Sequence, residues 1–195
     1  MRVADYLVNF FVNKGIRHVF LLPGGGAMHL VDAFHLNKKI EIIPLMHEQS
    51  AVIAAESYGR ISNNKVGLCC VTTGPGSTNA ITGVMGSWIE SLPLIILSGQ
   101  VKTNDLINDK KIRQSGVQEV NITPIVKNFT KYSKTLMKVN SLNQELTHAF
   151  NTATSGRKGP VWLDIPLDIQ GAPINTFKQI PLKKELKTSS FASFV

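Results

Sequence analysis

The chain has 195 residues, 43% of them hydrophobic and 17% charged, enough apolar material for one sizeable core and a single α/β-sized domain. Its formal net charge of +8 is uneven, with 7 Lys/Arg against 6 Asp/Glu through Gly99 and 14 against 7 beyond it. The lysines are scattered, without aromatic interleaving or a nucleic-acid motif, which argues against nucleic acid and for a solvated or protein-facing surface. No apolar stretch reaches the roughly 18 residues that span a bilayer, so no membrane contact is expected. The N-terminal MRVADYLVNFF also lacks the order of a secretory signal. Cys69 and Cys70 are adjacent in an apolar run, where successive side chains face opposite ways. Unable to pair with each other, they point to a reducing cytoplasm.

In chain order, Val3, Leu7, Phe10 and Phe11 recur at helical spacing and stop at Gly15, a good helix terminator. Strand-like apolar runs follow at 18–22, 40–45, 66–72, 93–98, about 130–137 and 161–166, separated by helical patterns. VGLCCV and PLIIL are apolar throughout, as expected of strands buried on both faces. The segment 102–121 is polar and irregular and predicts a long loop. Ser141 and Gln144 form a capping-box pattern ahead of a helix whose apolar face is Leu142, Leu146, Ala149, Phe150 and Ala153, ending at Gly156. The alternation predicts an α/β fold: a three-layer α/β/α domain with a roughly six-stranded, mainly parallel sheet and helices on both faces. The domain is expected to occupy 1–170. Beyond it, 171–195 loses periodicity, gains Lys, Ser and Thr, and reads as a linker toward a missing domain.

In open parallel sheets, ligands bind beyond the carboxyl ends of the strands. That rule singles out Pro23-Gly24-Gly25-Gly26, His47-Glu48-Gln49, Thr72 to Asn79, and Ser98-Gly99-Gln100. The turn Gly74-Pro75-Gly76-Ser77-Thr78-Asn79 follows a strand and opens a helix, so its backbone can approach a ligand closely. A dinucleotide fingerprint fails on context, because the next strand ends Leu97-Ser98-Gly99-Gln100 without the acid that would hold a ribose. A turn used only for tight packing stays open. Glu48 stands between an apolar strand and a small-residue helix (Ala51, Val52, Ala54, Ala55), where a carboxyl can share a proton with a ligand nitrogen. Its plainer role is an acid steadying a helix N-terminus from solvent. His47 has no metal-ligand partner at a sensible spacing, and His29 and His35, six apart, do not share a helix face.

Six segments in order, VFLLPGGGAMHLVDAF, HEQSAVIAAESYGR, VTTGPGSTNAITGV, SLPLIILSGQV, GVQEV and GPVWLDIPLDIQ, resemble the N-terminal aminopyrimidine-binding (PYR) domain of the acetolactate synthase-like, thiamine diphosphate-dependent enzymes. The resemblance runs from the start of the chain to about Gln170. It implies an active site shared between domains of two chains, hence a homodimer or tetramer, with a 2-keto acid as substrate of a lyase or carboligating transferase. It also implies that a diphosphate-binding domain, in the same or a partner chain, holds the cofactor through Mg²⁺ with a Gly-Asp-Gly segment. This sequence has no such segment, so the chain is expected to be inactive without that half, and FAD is possible in the complete enzyme. By the same resemblance, Glu48 in HEQ hydrogen-bonds N1′ of the aminopyrimidine, favouring the imino form that removes the thiazolium C2 proton. Thr72, Pro75 and Asn79 match positions lining that ring. Gln118 matches a glutamine reaching the active site, and Gly25 belongs to a turn approaching from the neighbouring chain. No residue of this chain is expected to bind metal. The synthases commonly carry an aromatic residue before the QE pair, where this sequence has Val117, which implies an altered substrate pocket. Two alternatives are the small subunit of a naturally split decarboxylase and a non-catalytic nucleotide-binding or interaction module of the same fold. The polar tail favours a chain cut from a longer one over the split subunit.

Overall fold

Strand residues of this chain sort into two apolar clusters by the parity of their position. Val19, Leu21, Leu68, Cys70, Ile95, Leu97, Val161, Leu163 and Ile165 point to one side, and Phe20, Cys69, Val71, Leu94, Ile96 and Trp162 to the other. That two-residue period is the geometry of a pleated strand with both faces covered. The computed structural model describes residues 1–61, 66–107 and 111–174. Its strands are β1 (His18–Leu21), β2 (Glu41–Pro44), β3 (Gly67–Val71), β4 (Leu94–Gln100), β5 (Tyr132–Thr135) and β6 (Pro160–Pro166). They form one six-stranded sheet in the order β2-β1-β3-β4-β6-β5, and every pairing is parallel.

Helices α1 (Val3–Asn13), α2 (Met28–Leu36), α7 (Leu142–Thr154) and α8 (Leu167–Gly171) cover the first face. Helices α3 (Glu48–Ile61), α4 (Pro75–Asn79), α5 (Ile81–Ile89) and α6 (Ile122–Val126) belong to the second. The expected three-layer α/β/α architecture is therefore the one found. Cys69 and Cys70 fall in opposite clusters. Burial pushes the Cys70 thiol up to about 12 and the Cys69 thiol well above its ordinary value, so both are packing residues and not reactive thiols.

Two local expectations change. β4 runs two residues past the expected end at Ser98, through Gly99 and Gln100, which pair with Ile165 and Pro166 of β6 as Ser98 pairs with Asp164; a polar ending hid strand residues whose polar groups are paired inside the sheet. Ser141 precedes α7 but its side chain makes no cap bond, because a 3-10 turn at Val139–Ser141 already winds into the helix and turns the hydroxyl back to the Lys138 carbonyl. The 102–121 segment holds a short 3-10 turn at Thr103–Asp105 and is otherwise irregular up to α6 where it is described. Just after α8 the chain runs beside its own start, with the Val3 N–H donating to Ala172 and the Ile174 N–H to Met1, both at 2.9 Å. Most of the expected linker, 175–195, lies outside the described residues.

Candidate functional site

The strand order places a topological switch beside β1. From β1 the chain passes by α2, on one face, to β2 on its left. The helices after β3 lie on the other face, and β3 is the right-hand neighbour of β1. Loops leaving β1 and β3 therefore diverge, and the crevice between them is where ligands bind in such sheets.

The first wall is the turn after β1. A 3-10 turn at Gly25–Ala27 brings the Gly26 N–H to Thr72 Oγ1 at 3.1 Å, and the Gly26 carbonyl accepts from Gln170 Nε2 at 2.7 Å. β4 passes directly beneath: a Cβ on Gly99 would meet that carbonyl oxygen at 2.0 Å, so only glycine permits the approach. The second wall is the turn after β3. Pro75 sits exposed at the first position of α4, where its fixed φ suits a helix start. Ser77 Oγ donates to the Thr72 carbonyl at 2.8 Å, and Gly74 adopts φ +59° and ψ −118°.

Glu48 is the first residue of α3 and only 6% exposed. His47 caps the helix, its Nδ1 accepting the Gln49 N–H at 3.1 Å. Asn79 Nδ2, at the end of α4, donates to Glu48 Oε2 at 3.0 Å. The other oxygen, Oε1, would lie 3.1 Å from a side chain at Gly76 and makes no hydrogen bond among the described residues. The carboxyl is thus fixed through one oxygen and open through the other, at a helix N-terminus inside the crevice. Such a group can share a proton with a heterocyclic nitrogen without leaving its place.

A third wall comes from the loop after β4. Glu119 is buried and accepts backbone N–H bonds from Ile107 (2.6 Å), Ser115 (2.9 Å) and Gly116 (3.1 Å). Burial opposes its ionisation, but these three donors outweigh it and hold the carboxyl below its usual range. Gln118 has φ +56°, and its carbonyl oxygen would stand 2.0 Å from a Cβ on Gly74, so the loop closes on the second turn backbone to backbone.

Of the residues read from the sequence, Glu48, Thr72 and Asn79 converge around Gly76. Gln118 joins them through its main chain while its side chain is exposed, beside a Val117 that is 82% exposed. Gly25 stands at the outer edge of the first turn, with open space where a side chain would be. Gln100 belongs to a strand end that the sequence singles out, but its partner Asp164, and Glu119 and Gln170, carry no motif of their own. A signal was available for Asp164 and Gln100, as polar residues ending runs buried on both faces. Among the described residues there is no group of three or more His, Cys, Asp or Glu side chains able to hold a metal ion, and no helix is long and apolar enough to cross a membrane.

Residues 1–125 match the family model for the N-terminal TPP binding domain of thiamine pyrophosphate enzymes. The acetolactate synthase large subunit of Haemophilus influenzae is 39% identical over 165 residues, 85% of this chain and 28% of its own length. The chloroplastic acetolactate synthase of Arabidopsis thaliana is 37% identical over 167 residues, 86% of this chain and 24% of that protein. The isozyme 1 large subunit of Escherichia coli aligns over 189 residues at 32% identity, 97% of this chain and 32% of the relative. The chain therefore spans between 24% and 32% of the length of these relatives. The matched segment contains the crevice, both glycine turns and Glu48, and the chain belongs to the thiamine pyrophosphate enzymes as an acetolactate synthase-like N-terminal TPP-binding domain.

Proposed function

We propose that the β1/β3 crevice receives the aminopyrimidine ring of thiamine diphosphate and that Glu48 shares a proton with its N1′ atom. The observation that carries this reading is the state of the Glu48 carboxyl: buried, held by Asn79 through Oε2, and unengaged at Oε1 beside Gly76. When bound, the cofactor would supply the acidic thiazolium carbon needed for chemistry at the carbonyl of a 2-keto acid. The protein's part is to hold one proton at N1′, in a site dry enough that bulk water does not level it. Asn79 keeps the carboxyl from rotating away. Thr72 and Pro75 line the ring from the second turn and Gln118 completes the pocket from the third wall, while Gly25, at the outer edge of the first turn, faces the part of the site that is shared with a neighbouring chain. The same reading takes 1–170 as the domain and 171–195 as the connection onward. It assigns the diphosphate and Mg²⁺ to a domain elsewhere in the complete enzyme, which acts as a 2-keto acid decarboxylase or carboligase.

The test is isotope exchange at the cofactor's C2 in the enzyme containing this chain and its diphosphate-binding domain. Glu48→Gln is expected to slow that exchange by about a hundredfold or more while leaving the circular dichroism spectrum and unfolding midpoint near those of the parent. Exchange at the parental rate would rule out the Glu48 role, and a parent that exchanges no faster than free cofactor would favour the non-catalytic module.

A further inference from the structure

Gln100 is 1% exposed, and all four of its hydrogen-bonding positions are used. Its Nε2 donates to the Val120 carbonyl at 2.8 Å and to Asp164 Oδ2 at 3.1 Å. Its Oε1 accepts from Thr73 Oγ1 at 3.0 Å and from the Val101 N–H at 2.9 Å. Turning the amide over would set its NH₂ against the Val101 N–H and its oxygen against a carboxylate and a carbonyl, so only one orientation is possible. Asp164 is anchored in its turn, accepting from Ser98 Oγ at 2.6 Å and Thr135 Oγ1 at 3.2 Å, while Trp162 Nε1 donates to Ser98 Oγ at 2.8 Å. Among the described residues the network begins in β4, β5 and β6 and reaches two loops: at Thr73, in the second glycine turn, and at Val120, in the loop that closes on that turn at Gly74 and Gln118.

We propose that Gln100, braced by Asp164, is a positioning residue that sets the separation of the Thr72–Gly76 turn from the 116–120 loop, and with it the width of the crevice beside Glu48. What the crevice receives rests on the aminopyrimidine reading above; the brace itself does not. A fully paired buried amide is suited to this, since any shift of either loop leaves a buried donor or acceptor without a partner. Its position at the end of β4, a seven-residue strand paired on both sides, also ties both loops to the interior of the sheet.

The brace is tested by amide hydrogen exchange on the whole 195-residue chain without cofactor. Gly76 and Thr78 report on the turn through their bonds to the Thr73 and Gly74 carbonyls, and Gly116 and Glu119 report on the loop. Leu7 and Val8 in α1 serve as distant references. Gln100→Glu puts a second carboxylate against Asp164 and is expected to speed exchange about tenfold at both sets of reporters, with α1 unchanged. Adding Asp164→Asn leaves a single charge at position 100 and removes the repulsion, so the oxygen that accepts from Thr73 and Val101 can return to its place and the turn recovers, while the loop, still lacking a donor for Val120, does not. Thr73→Val cuts one link at constant shape and should loosen the turn alone; it decides the matter even where Gln100→Glu fails to fold. Equal acceleration in α1, or no acceleration in Thr73→Val, overturns the brace. These rates do not depend on cofactor, so a normal result here beside unchanged C2 exchange in Glu48→Gln would discard the cofactor reading and keep the brace.

Discussion

Of the three buried carboxyls at this end of the sheet, Asp164 and Glu48 have surroundings that give them opposite chemistry. Asp164 accepts from three side chains inside the sheet, and burial pushes its carboxyl up to about 7. At 1% exposed it presents no open side to a ligand. Glu48 has one partner, Asn79, and a glycine where a neighbour would otherwise stand. A reading of residue types alone cannot rank the two, and it chose Glu48 because of its junction between strand and helix. The glycines are as specific as the acids. At φ +59° and ψ −118° Gly74 occupies backbone space that side-chain-bearing residues avoid, and the Gln118 carbonyl fills the place of a Cβ. Gly74→Ala is expected to cost about 2–4 kcal/mol, read as a fall in denaturant midpoint at unchanged slope. A loss below about 0.5 kcal/mol would mean that the 116–120 loop is not packed on the turn.

At the scale of elements, hydrophobic periodicity found every strand and erred where polar residues carry a packing role. The apolar signal of β4 stops at Leu97, yet the strand continues for three more residues, because the side chains of Ser98 and Gln100 are satisfied by Asp164 and Thr73 across the sheet. Only the neighbours reveal that pairing. The helix α7 shows the reverse error. Ser141 and Gln144 have the spacing of a capping box, but the preceding 3-10 turn sets Ser141 at φ −93° and ψ −2°, away from the extended backbone a capping residue needs. Ser141→Ala should therefore change stability by less than about 0.5 kcal/mol, against about 1 kcal/mol for a true cap. A chemical denaturation series resolves the difference, and a loss at the larger value would restore the capping role.

For the whole molecule, the brace and its acid give stability a particular pH dependence. The folded state holds the Asp164 proton more tightly than the unfolded chain, whose aspartates titrate near 3.8. That contribution is complete below the unfolded value and is lost as pH rises toward about 7. Asp5, Glu119, Glu145 and Asp168 are lowered in the fold, so their contributions appear on leaving the acid range and are already complete there. Between about pH 5 and 7 the Asp164 slope should therefore stand alone among these carboxyls, approaching 1.4 kcal/mol per pH unit at most. Asp164→Asn, whose amide can turn its NH₂ toward Ser98 and keep an acceptor for Gln100, should flatten it; equal slopes in parent and variant would refute the assignment. The sequence by itself determined the class of fold, the six strands, the two buried faces and the strand ends where unusual residues collect. These follow from periods of two and of three to four residues, and from turn chemistry, all of which are local. Only the tertiary structure decided that Glu48 meets Asn79, that Gly74 admits the Gln118 backbone, and that one glutamine at the end of β4 joins two loops to Asp164. Those pairs are 31, 44 and 64 residues apart in the chain, and the order of parallel strands that brings them together is set by how the helices pack, which no local pattern encodes.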